Sequence, residues 1–227
     1  MCGRFVQYNL LQAVQQIFNI DTISFEVIPN YNVAPTQDIL AVIKNNNENK
    51  LEKLHWGLVP FWAKDISIGS RMINARAETV AMKPSFRTAF KKRRCLIPAD
   101  GFYEWKGEKG KKQPYYVSNP SGEPFEFAGL WEIWTNKENA EESIYKSCTI
   151  ITTTAIGTIR EIHYRMPVIL DPKFHEKWLN AEIQDTKELE IILKDGLIHD
   201  MKYYPVSKLV NSVKNNDPNC IKPTDEN

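Results

Sequence analysis

The residue with the most distinctive chemistry in this 227-residue chain is Cys2, which directly follows Met1. Aminopeptidases remove an initiator Met when the second residue is small, and cysteine qualifies. Residue 2 would then carry an α-amine and a thiol on adjacent carbons. An amine with a pKa of ~7.7–8.0 condenses with an aldehyde to an imine, and a neighbouring thiol of pKa ~8.5 closes onto the imine carbon. The product is a five-membered thiazolidine. A second reading makes Cys2 the nucleophile of an N-terminal-nucleophile hydrolase, with the thiol attacking an amide and the amine acting as base. Position alone does not lift either reading above a cysteine that stands there by chance.

The other thiols and the imidazoles point to no metal chemistry. Cys95, Cys148 and Cys220 are dispersed, and His55, His163, His175 and His199 form no HxxxH or HExxH pattern. Cys95 (RRCLIP) and Cys148 (SCTII) sit in apolar, strand-like stretches and read as small core residues, while Cys220 reads as incidental in a polar tail. Dispersed cysteines without a secretory leader fit reduced thiols in a cytoplasmic or nucleoid setting. Glu104 stands out differently. It lies in GFYEW among Phe102, Tyr103 and Trp105, an apolar setting that raises a carboxyl pKa toward neutrality and suits acid/base work.

The elements that must position these groups are mostly strands. Residues 1–8 read as a strand or extended arm, and Asn9 as the cap of a helix through Ile20. Strands fit Ile39–Lys44 and Leu51–Val59, joined by a turn at Asn45–Asn49. Pro84–Lys92 reads as a short helix with proline in its first turn. Strands follow around Cys95–Ile97, at GFYEWK, and over Pro114–Val117, Phe125–Trp134, Ile144–Thr154 and Tyr203–Leu209, with a hairpin at Gly107–Lys112. Short helices fit Ile156–Ile162, Lys173–Leu179 and Thr186–Lys194. No βαβ repeat, GxxxxGK[ST] or GxSxG is present. The expected architecture is α+β: one domain over residues 1–216, with a large, mostly antiparallel, curved sheet or barrel and short peripheral helices, then a polar tail over 217–227. The composition, 42% hydrophobic and 25% charged, supports a packed core and excludes a disordered chain. No apolar run reaches the roughly 20 residues of a membrane helix.

A net charge of +1 conceals an uneven distribution. Residues 61–112 hold thirteen basic and five acidic side chains, +8, while the remainder holds sixteen basic and twenty-three acidic, −7. The segment is a candidate phosphate-binding face. A solvated hairpin and helix face is an equal alternative on charge alone.

Several motifs in order, MCGRF, YNVAPTQ (31–37), WGLVPFWAKD (56–65), MINARAET (72–79), RRCLIPADGFYEWK, AGLWEIW (128–134) and IHYRMPVIL (162–170), resemble the SOS response-associated peptidase family across nearly the whole chain. The resemblance implies a positively charged groove for single-stranded DNA and covalent capture of abasic sites by the N-terminal cysteine. An abasic site presents a masked aldehyde at C1′, closed as a hemiacetal, so ring opening requires proton transfer. The family name also records a peptidase activity, which keeps a cysteine-type peptidase as the alternative. A non-covalent reader of DNA junctions is a third possibility.

Carried over residue by residue, the resemblance makes Cys2 the nucleophile. It makes Asn74 the site amide that orients the amine or a sugar hydroxyl, Glu104 the proton-transfer group, and His163 the acid at the sugar ring oxygen. Arg4 and Arg76 are expected to bind phosphate, with structural ion pairing the plain alternative, for Arg76 with Glu78 in particular, and Arg165 is expected to bind phosphate. Arg87 and the run Lys91–Arg94 extend the phosphate track, unless Arg93 or Arg94 supports the sheet. Pro35 is expected to wedge into the gap left by the missing base, and Phe61 and Trp62 to stack on DNA. Trp62 is read as the exposed member of that pair, with Trp56 in the core. Thr152–Thr154 either place hydroxyls in the groove or are there for β-propensity. Tyr164 stands where the family pattern carries an acidic or polar residue, and is expected to alter only local packing. The implied protein is a monomer that needs no cofactor or metal, acts on single-stranded DNA containing abasic sites, and makes a link open to slow reversal.

Overall fold

The computed structural model describes residues 2–108, 110–136 and 144–224. Its strands are β1 (Phe5–Gln7), β2 (Asn30–Val33), β3 (Asp38–Asn45), β4 (Glu48–Trp56), β5 (Asn74–Arg76), β6 (Arg94–Ala99), β7 (Gly101–Lys106), β8 (Gln113–Ser118), β9 (Phe125–Thr135), β10 (Ile144–Thr154), β11 (Arg165–Pro167) and β12 (Lys202–Pro205). The α-helices are α1 (Leu11–Phe18), α2 (Arg87–Lys92), α3 (His175–Leu179) and α4 (Thr186–Asp195).

Five strands close on themselves in the order β10-β4-β3-β6-β9, with β9 pairing back to β10. Only the β10–β4 contact in that ring is parallel. An antiparallel sheet of order β12-β8-β7-β1-β2 packs beside this barrel. The mixed α+β architecture with a mostly antiparallel barrel agrees with the sequence expectation.

The strands read as continuous apolar runs because both faces are covered. Along β3, Ile39, Ala41 and Ile43 enter one core, while Leu40 and Val42 enter another that α1, α2, α3 and α4 close. The same alternation separates Cys95 and Ile97 from Leu96 in β6, and Ile150 from Ile151 in β10. A third, smaller core forms behind the second sheet from Val6, Tyr103, Tyr116, Val206, Val210 and Cys220.

Two features position the site. First, β6 and β7 are nearly one continuous strand that leaves the barrel at Asp100 and joins the other sheet at Gly101. A Cβ at Gly101 would lie 2.3 Å from the Tyr116 ring, so only glycine allows that close packing. Second, β10 outruns the barrel. It pairs with β4 at Ser147 and Cys148, then with β5 at residues 150–152 on one edge and with β11 at residues 152–154 on the other.

Several expectations are corrected. Asn9 does not cap the first helix: its backbone N–H goes to Asp100, and α1 starts at Leu11 without a side-chain cap. The hairpin turn contracts to Asn46 and Asn47, both with positive φ, which asparagine tolerates and which suits a two-residue turn. The strand expected over Tyr203–Leu209 stops at Pro205, and a 3-10 turn (Lys208–Asn211) replaces its end. The 156–162 helix is a 3-10 turn (Gly157–Glu161). Cys220 is not incidental: it is fully buried in a 3-10 turn (Pro218–Ile221) packed under the second sheet. The short strands β2, β5 and β11 carry too few residues to show a periodicity. Lys109 of the Gly107–Lys112 hairpin, Met1 and residues 225–227 of the tail lie outside the described residues.

Candidate active site

Cys2 is brought to its neighbours by strand register. Phe5 pairs with Phe102 on β7, and Tyr103 donates its N–H to the Arg4 carbonyl at 2.9 Å. Continuing that register brings Gly3 level with Glu104. On its other side β1 pairs Phe5 with Val33, and the same continuation brings Gly3 level with Pro35. Alternation then sorts the GFYEW side chains. Phe102 faces the core that holds Cys2, Glu104 shares its face, and Tyr103 enters the core behind the sheet.

Asn74 arrives from a different part of the fold. The carbonyl of the preceding Ile73 accepts from Trp56 Nε1 at 2.9 Å and from Ile150 N–H at 3.1 Å. So anchored, Asn74 donates through Nδ2 to the Cys2 carbonyl at 2.8 Å. Its Oδ1 is buried with no hydrogen-bond partner among the described residues, an acceptor aimed into the site.

Glu104 and His163 complete the cluster. Glu104 Oε1 lies 4.0 Å from His163 Nδ1, with the two side chains 4% and 17% exposed. Burial pushes the Glu104 carboxyl above its ordinary range, outweighing the nearby charges and hydrogen bonds that lower it. Burial pushes the Cys2 thiol far up as well, and the Glu104 charge adds to it. His163 Nδ1 is 3.0 Å from both the N–H and the carbonyl of Arg165, which orients the ring. The cluster therefore combines a protonated thiol, a carboxyl poised to exchange a proton, an imidazole and an unsatisfied amide oxygen. Those groups match proton transfer at an aldehyde or acyl carbon.

The arginines separate into free and committed. Arg165 is buried, and its guanidinium grips both Glu78 oxygens at 2.6 and 3.1 Å and the Thr152 carbonyl at 2.7 Å. Burial raises the Glu78 carboxyl, and the Arg165 hydrogen bond and charge more than offset it, leaving it below its ordinary value. Arg165 is thus committed to an ion pair. Arg76, for which Glu78 was the expected partner, is exposed and makes no ion pair among the described residues. Arg4 donates to Asn32 Oδ1 and to the Val210 carbonyl, both at 2.7 Å, and lies over the Trp105 ring, so it ties the C-terminal segment to β1. Arg93 pairs with Glu132, and Arg94 is buried against four backbone carbonyls, so both support the barrel. Arg87 is exposed on α2, whose buried residues Ala89 and Phe90 belong to the helix-covered core rather than the Cys2 side.

The aromatic expectation needs one correction: Phe61 and Trp62 are both exposed, at 51% and 46%, while Trp56 is fully buried. Their loop is held by a backbone contact between Gly57, at φ +145°, and Gly69, where a Cβ on either would come within 2.7 Å of the other's carbonyl. Trp134 Nε1 also donates to the Ala63 carbonyl at 2.7 Å. Pro35 is half-buried in a tight turn whose next residue, Thr36, has a φ of +68°. Thr152 is buried with its hydroxyl 3.2 Å from Arg165, so it serves the ion pair and not an open groove. Cys95 and Cys148 are buried core thiols as expected. Among the described residues no group of three potential metal ligands occurs, and no helix is long and apolar enough to cross a membrane.

Sequence reading gave Tyr164 an effect on local packing only and offered Glu78 as a partner of Arg76, whereas Glu78 pairs with Arg165. Tyr164 stacks on His163 with ring centroids 4.5 Å apart. Its one signal was its departure from the family pattern.

Comparison with known proteins identifies the family. A family model described as SOS response associated peptidase (SRAP) matches residues 1–213. A Bacillus subtilis relative, "Abasic site processing protein YoqW", is 47% identical over 225 residues, covering 98% of this chain and 99% of that one. The Escherichia coli "Abasic site processing protein YedK" is 31% identical over 233 residues, covering 98% of this chain and all of that one. A solved structure from Bacteroides thetaiotaomicron superimposes with a TM-score of 0.74 at 27% identity, covering 96% of this chain and 91% of that one.

Proposed function

This chain belongs to the SOS response associated peptidase family, and on that footing we propose that it processes abasic sites in single-stranded DNA by linking covalently to them through Cys2. The observation that carries the reading is the convergence of Asn74, Glu104 and His163 on the N-terminal arm. The names of the relatives supply the lesion.

The chemistry follows from the groups present. Loss of Met1 frees the Cys2 α-amine. Opening the hemiacetal moves the C1′ hydroxyl proton to a base and delivers a proton to the ring oxygen; Glu104 and His163 fill these roles. The amine adds to the C1′ aldehyde, water leaves with a proton from the acid, and an imine remains. The thiol then yields its proton to the Glu104 carboxylate while sulfur bonds to C1′, and the imine nitrogen takes a proton. Aldehyde and aminothiol become thiazolidine and water, with no change of oxidation state. A carboxyl whose proton affinity is raised by burial suits both the giving and the taking steps. Asn74 Oδ1 is an acceptor for the amine or a sugar hydroxyl. Arg76, Phe61 and Trp62 are the free groups for phosphate and base.

A peptidase reading has weaker support. A thiolate nucleophile needs a lowered pKa, whereas burial and the Glu104 charge push the Cys2 thiol up. The amine-led route does not require a standing thiolate.

Incubating the Met1-free protein with abasic single-stranded DNA tests this. A denaturation-resistant adduct, lost in Cys2→Ala while weak binding persists, supports it. Binding without an adduct supports a non-covalent reader, and Cys2-dependent peptide cleavage without an adduct supports the peptidase.

A further inference from the structure

Tyr164 occupies a position that no step above uses. It lies between the 3-10 turn at Gly157–Glu161 and β11. Its carbonyl accepts from Ala155 N–H at 3.0 Å, so the backbone is fixed. One face of its ring rests on His163, at 4.5 Å between centroids and 29° between planes. The residue is nevertheless 67% exposed, among the highest values for a large apolar side chain in the described structure. A tyrosine already laid flat against a site imidazole, with its outer side in solvent, is a preorganised platform.

We propose that the outer face of Tyr164 stacks on the nucleobase adjoining the abasic site, forming a base subsite directly above His163. The inference rests on the reading of this site as an abasic-DNA site. The physical case has three parts. His163 Nδ1 is 4.0 Å from Glu104 Oε1, so a sugar that exchanges protons with this pair lies at the foot of the stack. The neighbouring base on that strand has lost its stacking partner at the lesion, and an aromatic side chain replaces it. The Tyr164 ring is held by His163 and the fixed backbone, so little rotamer freedom is lost when a base arrives. Every base offers a π-face, so the subsite tolerates sequence but favours the larger purines. A base so placed also extends the cover over His163 and keeps water from the reacting carbon.

Tyr164 is here a positioning residue, and its signature is coupling to the neighbouring base. The test measures affinity for single-stranded DNA carrying a tetrahydrofuran analogue, which has no aldehyde and forms no adduct. The strand is prepared with both neighbouring bases present and with either one also removed. Wild type is compared with Tyr164→Phe and Tyr164→Ala, each checked for an unchanged melting temperature. The expected result is a roughly tenfold loss for Tyr164→Ala on the strand with both neighbours, and none for Tyr164→Phe. Removing one particular neighbour should weaken wild type by a similar factor and leave Tyr164→Ala little changed. Equal losses for Tyr164→Ala with and without each neighbour, or no loss at all, overturn the subsite. Failure of wild type to form an adduct with authentic abasic DNA overturns the functional reading instead, and the two failures are separately visible.

Discussion

Asn74 Nδ2 reaches the backbone carbonyl of Cys2 at 2.8 Å across 72 residues of sequence, and this bond fixes the N-terminal arm against β5. The acceptor atom of the same amide is left buried and unsatisfied, which is costly unless a ligand fills it.

Asn74→Ala is therefore expected to act on chemistry more than on folding. Loss of one partly buried hydrogen bond costs about 1 kcal/mol of stability. Adduct formation should slow by tenfold or more, because both the arm and the acceptor are lost. Single-turnover rates beside chemical denaturation separate the two; a stability loss with an unchanged rate would remove Asn74 from the site.

Glu104→Gln keeps the shape of the side chain and removes its proton exchange. Adduct formation should fall by about 10²-fold or more. As a base Glu104 works deprotonated, so the wild-type rate falls as pH drops through its pKa. Burial raises that value, so the acid limb should lie above the ordinary 4.5 of a glutamate. The glutamine variant should lack the limb, and a limb retained in both proteins would assign it to another group.

Arg76 and Arg165 should respond oppositely. Arg76→Ala is expected to leave the melting temperature unchanged and to flatten the salt dependence of DNA binding by about one unit of slope, as loss of one phosphate contact does. Arg165→Ala breaks its bidentate pair with Glu78, whose carboxylate is 46% exposed, so about 1–3 kcal/mol of stability is expected to go. Salt titrations and thermal melts of both variants check this. A flattened salt slope for a fully stable Arg165→Ala would reassign that residue to the DNA.

Asp100 should make stability depend on pH. Burial raises its carboxyl from 3.8 to about 6, although it accepts from Tyr8 N–H at 2.7 Å. Between about pH 4 and pH 6 the folded chain keeps a proton that the unfolded chain has released, so stability falls as pH rises through this window, by roughly 1–3 kcal/mol. Asp100→Asn, which keeps an acceptor, should flatten the slope. Asp100→Ala should instead destabilise the fold at all pH values, since two backbone N–H groups lose their partner. Denaturant midpoints from pH 4 to pH 7 decide, and an unchanged slope in Asp100→Asn would place the titration elsewhere.

The sequence by itself determined the family and the class of fold, and it nominated the groups for the proposed chemistry. Cys2 beside an initiator Met, Glu104 within GFYEW, and the ordered motifs around Asn74 and His163 are local properties, readable from residue types and spacing. The long strands were equally legible, because period-2 alternation is written along one segment. Tertiary structure alone decided which side chains remain free to act. Arg76, Arg165, Arg4 and Arg94 look alike in sequence. Only the lateral pairing of β5 and β11 with β10 gives Glu78 to Arg165 and leaves Arg76 in solvent. The Gly57–Gly69 contact and the Trp134–Ala63 hydrogen bond brace the loop that exposes Phe61 and Trp62, and tertiary packing brings His163, with Tyr164 stacked on it, to Glu104. Burial and charge pairing depend on partners far away along the chain, so no local pattern encodes them.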